Sequence, residues 1–248
     1  MNSLLLSHAF PLHSGMWEPQ HAALADHVGI ITPDLPGFGA QSRLDGEEFS
    51  MELAARFIEE YLATRNIERC VIGGLSMGGY IAFQCWKLFP ERIAGLILAD
   101  TKASEDTPEA REGRYKAMEQ IGAGEYDAYI DGLMGKLLSE HTRRERPEVE
   151  ARVRSIINDT QPESLSPALL GMARRPDATP LLSTINVPVA LIFGEHDAIT
   201  TIDEGKKMAD AISGAELTIV KNAGHLSSME NPEEFNAAVI KLLERVGQ

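Results

Sequence analysis

The sequence predicts an α/β fold, with a mostly parallel sheet of about six strands, helices on both faces of the sheet and an inserted helical lid. The 248 residues are 44% hydrophobic and 24% charged, which is typical of an ordinary globular domain. Short runs of Val, Ile and Leu recur along the chain, and the segments between them are long enough for a crossover helix. One long segment lacks such runs and carries apolar residues at helical spacing instead.

The apolar runs are interpreted as strands of a parallel sheet because they are short, nearly continuous and flanked by loop-forming residues. The predicted strands are Ser3 to Ser7, Val28 to Thr32, Arg69 to Gly73, Ile93 to Ala99, Val187 to Phe193 and Glu216 to Val220. The segments between them have a polar face and an apolar face, and they predict helices. The predicted helices are Met16 to Ala25, Met51 to Thr64, Gly78 to Phe89, Asp203 to Ile212 and Pro232 to Val246. The last begins with Asn231 as a plausible N-cap.

The alternation of strands and helices stops between Lys102 and Pro180. In this segment apolar residues such as Tyr115, Met118 and Ile121 recur at helical spacing, and no run favours a strand. The segment is therefore predicted to be a helical lid, or cap domain. It comprises residues 102–180 and is inserted into a core formed by residues 1–101 and 181–248.

Charge and cysteine content exclude several classes of partner. The 23 Lys and Arg residues against 37 Asp and Glu residues give a formal net charge of -14, which would repel nucleic acid and anionic membranes. Cys70 and Cys85 are too few for a disulfide framework and suit a reducing compartment. The first residues contain no basic stretch and only a short apolar run, Leu4 to Leu6, which is too short for a signal segment or a membrane span. We expect a cytoplasmic protein without nucleic-acid or membrane partners, and the oligomeric state stays open.

The most informative motif is Gly74-Leu75-Ser76-Met77-Gly78-Gly79, which lies between a predicted strand and a predicted helix. A serine on such a sharp turn takes a strained backbone conformation, and the flanking glycines let neighbouring backbone approach it. A serine hydroxyl is a weak nucleophile at neutral pH. Its use in catalysis therefore requires a histidine as base and a carboxylate that orients the histidine.

Suitable partners for Ser76 follow later strands. Of the seven histidines, His225 is the best placed, because it lies between the last strand and the last helix, at the carboxyl edge of the sheet. Asp197 follows another predicted strand and precedes His225, which gives the chain order Ser, Asp, His. Asp100, at the end of the strand Ile93 to Ala99, is the alternative acid. Ser76, Asp197 and His225 are the predicted catalytic residues.

Acyl transfer also requires N–H donors for the developing oxyanion. The backbone N–H of Met77 follows the serine at the start of a helix, and that of Phe10 lies on the loop leaving the first strand. His8 and Asp34 are interpreted as side chains that brace neighbouring loops. No cofactor or metal ion is predicted, because the usual nucleotide-binding and zinc motifs do not occur. The side chains predicted to line a substrate pocket are those of Trp17, Met134, Met172 and Leu226.

Five segments together resemble the α/β-hydrolase family in order and spacing, over nearly the whole chain. They are His8-Ala9-Phe10-Pro11, Asp34-Leu35-Pro36-Gly37-Phe38-Gly39, Gly74-Leu75-Ser76-Met77-Gly78-Gly79, Gly194-Glu195-His196-Asp197 and Asn222-Ala223-Gly224-His225. Within this family the chain resembles bacterial carboxylesterases and 3-oxoadipate enol-lactonases. That likeness rests on Gly79-Tyr80-Ile81-Ala82-Phe83, Leu98-Ala99-Asp100-Thr101-Lys102-Ala103 and Ala168-Leu169-Leu170-Gly171-Met172-Ala173-Arg174-Arg175-Pro176-Asp177. The resemblance implies Ser76 as nucleophile, His225 as base, Asp197 as acid, and the N–H groups of Phe10 and Met77 as the oxyanion hole.

Two features depart from the family pattern. The family usually has His-Gly where this chain has His8-Ala9, and alanine narrows the conformations of the loop that presents the Phe10 amide. The family also has a β-hairpin that precedes the strand leading to His8. In this sequence that strand, Ser3 to Ser7, begins within the first few residues. The sequence therefore predicts a core without this N-terminal hairpin, and either the protein lacks the hairpin or the given sequence begins after it.

The leading functional hypothesis is a carboxylesterase, a serine hydrolase that cleaves small carboxylic esters through an acyl-enzyme on Ser76. The first alternative is a lactone hydrolase resembling 3-oxoadipate enol-lactonase. Such an enzyme would need a cation facing the substrate carboxylate, and Arg174 and Arg175 are the candidates, although we interpret both as surface residues. The resemblance leaves open a perhydrolase side activity, suggested by Pro11, and carbon–carbon bond hydrolysis. An alternative from a different functional class is a ligand sensor, an α/β hydrolase whose slow turnover serves recognition of the ligand. The natural substrate is not indicated.

Overall fold

The computed structural model describes residues 3–41 and 48–247, and these residues contain a six-stranded parallel sheet. The strands are β1 (Ser3–Ser7), β2 (Gly29–Ile31), β3 (Cys70–Leu75), β4 (Ile93–Ala99), β5 (Val189–Gly194) and β6 (Glu216–Val220). Their order across the sheet is β2-β1-β3-β4-β5-β6. Strands β3 and β5 are buried along their whole length, as expected when helices cover both faces of a parallel sheet.

Parallel pairing brings the carboxyl ends of β3 to β6 to one edge of the sheet. Near the ends of these strands, Ala99 pairs with both Leu75 and Ile192, and Gly194 pairs with Val220. The loops that leave the four strands therefore emerge side by side, which is where ligands bind in sheets of this type.

The helices fall into a group that covers the sheet and a group between β4 and β5. Helix α2 packs on α3 and α1 packs on α11, so that helices lie on both faces. No helix in residues 3–41 or 48–247 has the length and apolar composition needed to cross a membrane. The helices are α1 (Glu18–Leu24), α2 (Met51–Thr64), α3 (Met77–Leu88), α4 (Pro108–Gly122), α5 (Tyr126–Leu137), α6 (Glu140–Glu145), α7 (Pro147–Asn158), α8 (Leu165–Ala173), α9 (Ile202–Ala211), α10 (Ser227–Glu230) and α11 (Pro232–Val246).

Local sequence explains where several helices begin. The side chain of Asn231 accepts a hydrogen bond from the N–H of Glu234 at 3.3 Å, and Pro232 is the first residue of α11. The predicted start of this helix is therefore confirmed, since the cap satisfies an otherwise unpaired N–H and proline has none to lose. Ser50 caps α2 in the same way, by accepting from the N–H of Leu53 at 3.1 Å.

All six predicted strands are confirmed, and the differences lie at element ends. Strand β5 begins at Val189 rather than Val187, because the intervening Pro188 has no N–H to donate to a neighbouring strand. The first predicted helix is divided into a 3-10 turn, Ser14–Trp17, and the α-helix α1. Pro19 occupies the first turn of α1, where a missing N–H costs no helical hydrogen bond.

Residues 100–188, all of which the structure describes, contain helices α4 to α8 and no strand. Helix α4 packs on α5 and α8, and α6 packs on α7. This agrees with the helical spacing of the apolar residues. The division into a core and a separate lid stays a prediction.

Candidate active site

Ser76 lies on the turn between β3 and α3 in a strained backbone conformation. Its φ is 55° and its ψ is -109°, a region that residues other than glycine rarely adopt. The Ser76 N–H donates to the carbonyl of Ala99 at 2.9 Å, and the Ser76 carbonyl accepts from the Thr101 hydroxyl at 2.9 Å. Hydrogen bonds to the end of β4 and the loop after it therefore hold this turn in place.

The glycines of the Ser76 motif are required by close packing. A Cβ atom on Gly78 would lie 2.1 Å from the carbonyl oxygen of Ser7, and one on Gly74 would lie 2.3 Å from the carbonyl carbon of Gly78. Real side chains do not approach backbone so closely. Glycine at these positions lets α3 begin directly against β1 and β3, with Ser76 at the carboxyl edge of the sheet.

His225 and Asp197 are in contact at the same edge, with 2.8 Å between His225 Nδ1 and Asp197 Oδ2. Asp197 follows β5 and His225 follows β6, so two neighbouring strands bring the side chains together. Both residues are buried. Because a carboxylate can only accept, Nδ1 carries the proton and Nε2 is left as a hydrogen-bond acceptor.

The surroundings of Asp197 keep it ionised. Its Oδ1 accepts from the N–H groups of Ile199 (2.8 Å) and Thr200 (3.0 Å), and its Oδ2 accepts the Thr200 hydroxyl at 2.5 Å. Burial alone would raise the pKa of Asp197. The electrostatic interaction with the His225 ring and these hydrogen bonds outweigh the effect of burial, so the pKa of Asp197 lies below its ordinary value. At neutral pH Asp197 is therefore a carboxylate that can orient the histidine.

Asp100, the alternative acid, is buried at the end of β4 and contacts other partners. Its Oδ1 accepts from the N–H of Gly194 at 2.7 Å, and its Oδ2 contacts both the N–H (3.3 Å) and the hydroxyl of Ser227. Burial, and then the charge of Asp197, raise the pKa of Asp100 well above its ordinary value. Among the described residues, none of its hydrogen bonds goes to His225.

Two backbone N–H groups near the Ser76 turn have no acceptor within the described part of the chain. They belong to Met77, the first residue of α3, and to Phe10, on the loop after β1. The two segments lie together, since a Cβ atom on Gly78 would be 3.1 Å from the His8 carbonyl. Unpaired N–H groups at such a turn suit the stabilisation of an oxyanion.

His8 and Asp34 brace the loops beside these amides, as predicted. The buried His8 ring accepts from the N–H of Leu35 at its Nε2 and donates from Nδ1 to the carbonyl of the next residue, both at 3.1 Å. Burial lowers the pKa of His8 to about 4, so the ring is neutral at pH 7. Asp34 accepts from the N–H groups of Ser14 and Ala40, each at 2.9 Å.

The four side chains predicted to line a substrate pocket are all buried. The Trp17 ring packs against Phe235 with 6.1 Å between ring centroids, and Met172 Sδ lies 3.4 Å from a guanidinium nitrogen of Arg114. Their contribution to a pocket stays a prediction. The four residues are Trp17, Met134, Met172 and Leu226.

The surface interpretation holds for Arg174 and is wrong for Arg175. Arg174 is exposed and pairs with Glu48 at 2.9 Å, whereas Arg175 is only 5% exposed. The Arg175 guanidinium pairs with the buried Asp106 at 2.8 Å and stacks on the Tyr80 ring, 4.0 Å from its centroid. A buried counter-ion distant in the sequence permits this burial, and no local pattern reveals it.

The described parts of the chain hold other concave surfaces but no group of three or more His, Cys, Asp or Glu side chains suited to a metal ion. One groove of about 550 Å³ is bordered by Arg69, Trp86, Ile93 and Val187. Arg69 precedes β3 and Ile93 begins β4, so this groove lies at the amino edge of the sheet, away from Ser76. This groove is therefore separate from the candidate site.

The sequence pattern does not single out Thr200 and Glu230, although both lie at the candidate site. The Thr200 hydroxyl donates to Asp197 Oδ2 at 2.5 Å and lies 3.3 Å from His225 Nδ1. The buried Glu230 carboxylate accepts from the N–H groups of Gly224 (2.9 Å) and Leu226 (3.1 Å). In the sequence Glu230 resembles any acidic residue near a helix start, so its burial could not be predicted.

The chain belongs to the alpha/beta hydrolase family, whose family model matches residues 4–238. A solved structure, that of a thermophilic esterase from Thermogutta terrifontis with malate bound, is similar with a TM-score of 0.95 and 36% sequence identity. The alignment covers 100% of this chain and 91% of the esterase. The predicted family is therefore confirmed.

Two curated relatives represent the two activities that the sequence resemblance implies. The 3-oxoadipate enol-lactonase 1 of Acinetobacter baylyi is 26% identical over 240 residues, which cover 94% of this chain and 85% of the relative. Carboxylesterase YbfK of Bacillus subtilis is 28% identical over 250 residues, which cover 97% of this chain and 80% of the relative. Both are similar to this chain along nearly its whole length.

Proposed function

We propose that this chain is a carboxylesterase that cleaves small carboxylic esters through an acyl-enzyme on Ser76. The buried contact between Asp197 and His225 carries the proposal. It supplies an oriented base at the sheet edge where the chain also presents a serine in a strained turn. Similarity to an esterase of solved structure supports esters as the substrate class.

In the proposed acylation step, Ser76 Oγ attacks the ester carbonyl carbon while His225 Nε2 accepts the hydroxyl proton. The ionised Asp197 holds the Nδ1–H of the ring and stabilises the imidazolium that forms. The carbonyl oxygen becomes an oxyanion and accepts from the N–H groups of Phe10 and Met77, each worth about 3 kcal/mol in such sites. The tetrahedral intermediate collapses when the alcohol leaves with the proton of His225.

In the proposed deacylation step, water attacks the acyl-enzyme while His225 again accepts a proton. The carboxylic acid is released and the Ser76 hydroxyl is restored. The cycle requires neither a cofactor nor a metal ion.

We further propose that residues 102–180 form a lid over a core of residues 1–101 and 181–248. Trp17, Met134, Met172 and Leu226 would line the acyl pocket, and the two methionines would adapt to acyl groups of different shape. A small-molecule ester or lactone is the expected partner, since the net charge of -14 disfavours nucleic acid and anionic membranes. The free and buried Cys70 and Cys85 support a cytoplasmic location.

The first test is hydrolysis of p-nitrophenyl acetate and butyrate by the wild type and by Ser76→Ala. We expect multiple turnovers by the wild type and a loss of at least about a thousandfold in the variant. Ser155→Ala, on an exposed position of α7, is the matched control and should retain full activity. A fluorophosphonate should label the wild type at Ser76. Absent labelling, or unchanged turnover in Ser76→Ala, would contradict the proposal.

Lactone hydrolysis is a second candidate activity, favoured by the similarity to an enol-lactonase. The same residues would open a lactone. However, the Arg175 guanidinium is already paired with Asp106, so this cation is not available to a substrate carboxylate. We therefore expect kcat/KM for p-nitrophenyl acetate to exceed that for 3-oxoadipate enol-lactone, and the reverse order would favour the lactonase. Acylation of Ser76 without release would favour a ligand sensor.

A further inference from the structure

The buried carboxylate of Glu230 holds the backbone on both sides of His225. Glu230 is 4% exposed, and its Oε1 accepts from the N–H of Gly224 at 2.9 Å and from the N–H of Leu226 at 3.1 Å. These residues directly precede and follow His225. One oxygen atom therefore restrains the loop that carries the proposed base.

The other oxygen of Glu230 binds the junction between α5 and α6. Its Oε2 accepts from the N–H of Ser139 and from the hydroxyl of Thr142, both at 2.8 Å. Ser139 caps α6, and Thr142 lies in its first turn. Glu230 therefore connects the histidine loop with the helices between β4 and β5.

Direct contacts join the same two segments. The N–H of His225 donates to the carbonyl of Leu137 at 3.1 Å, and the Ser139 hydroxyl donates to the carbonyl of Asn222 at 2.7 Å. A Cβ atom on Gly224 would lie 2.6 Å from the Ser139 nitrogen. The backbones are thus in close contact, and displacement of the junction would displace the loop.

The charge of Glu230 is balanced by hydrogen bonds. In residues 3–41 and 48–247 its carboxylate takes part in no ion pair, and each of its oxygens accepts two hydrogen bonds. A buried carboxylate without a cation is costly unless donors surround it. The four donors come from two segments, so the arrangement is stable only while both segments stay in place.

We propose that Glu230 is a positioning residue that fixes His225 to the α5–α6 junction, so that the position of the base depends on the helices between β4 and β5. The inference rests on the proposed role of His225 as the base that activates Ser76. It adds a route by which these helices control the reaction without touching the reacting atoms.

Glu230→Gln should separate the two halves of this connection. A glutamine has one acceptor oxygen and one NH₂ group, and the NH₂ group cannot face N–H donors. If the oxygen faces the loop, the bonds to Gly224 and Leu226 persist, while the NH₂ group opposes the N–H of Ser139. If the oxygen faces the junction instead, the bonds to the loop are the ones lost. In either orientation the histidine loop is no longer tied to the α5–α6 junction, whereas Glu230→Ala loses the bonds on both sides.

Thr142→Val tests the connection without changing Glu230. It removes one donor to Oε2 and the 3.0 Å contact between the Thr142 and Ser139 hydroxyls, both on the junction side. It keeps the shape of the side chain and leaves every residue of the histidine loop intact. Thr160→Val is the matched control. Thr160 is also buried and lies in the same segment of the sequence, between β4 and β5, but its hydroxyl has no hydrogen-bond partner among the described residues.

The experiment measures loop order and chemistry separately in full-length wild type, Thr142→Val, Glu230→Gln and Thr160→Val. Loop order is measured as the amide hydrogen-exchange rate of peptides covering residues 222–231. The chemical step is measured as the rate of Ser76 labelling by a fluorophosphonate, together with kcat and KM for p-nitrophenyl acetate. In Thr142→Val and Glu230→Gln we expect the loop exchange rate to rise by about tenfold, and kcat and the labelling rate to fall by about tenfold, with KM nearly unchanged. A tenfold change corresponds to the loss of one hydrogen bond to a charged group. Thr160→Val should match the wild type.

Three other outcomes would contradict either this proposal or the proposed function on which it rests. Unchanged loop exchange in Thr142→Val and Glu230→Gln would overturn the connection itself. Faster loop exchange with unchanged kcat and labelling would overturn the positioning role. Failure of wild-type Ser76 to label or turn over would overturn the proposed function, and loop exchange would still report whether Glu230 holds the loop.

Discussion

Replacement of His8 is expected to make the protein more resistant to acid. The buried His8 ring accepts from the N–H of Leu35 at Nε2 and donates at Nδ1. A second proton would have to bind Nε2, where it would face that N–H and carry a charge without solvent. In the unfolded chain the same ring is hydrated and binds protons near its ordinary pKa of 6.5.

The magnitude follows from the two pKa values. Burial lowers the pKa of His8 from 6.5 to about 4 in the folded protein, although the hydrogen bond to the Ala9 carbonyl and the charge of Asp34 act in the opposite direction. Between these pH values the unfolded state binds the proton and the folded state does not, so stability falls as pH falls. Each factor of ten in proton affinity is worth about 1.4 kcal/mol, which gives a total of about 3 kcal/mol.

The assay is urea unfolding followed by circular dichroism at pH 7 and pH 4.5. The wild type should lose about 2 to 3 kcal/mol more than His8→Gln over this interval, because glutamine does not titrate. His8→Gln is expected to be less stable than the wild type at pH 7. We therefore compare, for each protein, the change in the free energy of unfolding between pH 7 and pH 4.5. His196→Gln, at a histidine whose side chain is 52% exposed, is the matched control and should follow the wild type. Equal losses in the wild type and His8→Gln would refute the reasoning.

Two further predictions concern the acid and the serine turn. Asp197→Asn should lower kcat for p-nitrophenyl acetate by about a thousandfold or more with little change in KM, because the amide donates to His225 Nδ1 and so selects the wrong histidine tautomer. A loss below about tenfold would contradict the proposed role of Asp197. Gly78→Ala should lower the free energy of unfolding in urea by at least about 2 kcal/mol, because the added Cβ would lie 2.1 Å from a carbonyl oxygen of β1. Gly132→Ala, at a helical position with open space around it, should be neutral or stabilising by up to about 1 kcal/mol, and equal effects in both variants would contradict the packing argument.

The sheet and the main candidate residues could be predicted because their signals are local. Buried parallel strands are continuous apolar runs, and a serine between glycines after such a run marks a sharp turn. His225 and Asp197 could be selected because each follows a strand, and parallel strands end at one edge. The start of α11 could be predicted from Asn231 and Pro232, since an N-cap acts on the residues that follow it and proline favours the first helical position.

The remaining features depend on contacts between residues distant in sequence. Asp100 meets Gly194 across 94 positions, and Glu230 meets Ser139 across 91. Neither separation leaves a periodic or local pattern. For the same reason the sequence could favour Asp197 over Asp100 as the acid but could not show that Asp100 is occupied by other donors. The burial of Arg175 likewise depends on Asp106.

The position of the helices between β4 and β5 has a consequence for synthesis of the chain. Strand β4 lies between β3 and β5 in the sheet, but residues 100–188 must be made before β5 emerges. At about 5 to 20 residues per second, one edge of this apolar strand waits about 4 to 18 seconds for its partner. During that time its N–H and carbonyl groups are a template for pairing with another chain. Closely spaced ribosomes on one mRNA would therefore favour aggregation of the nascent chains. Slower translation initiation should increase the yield of folded protein.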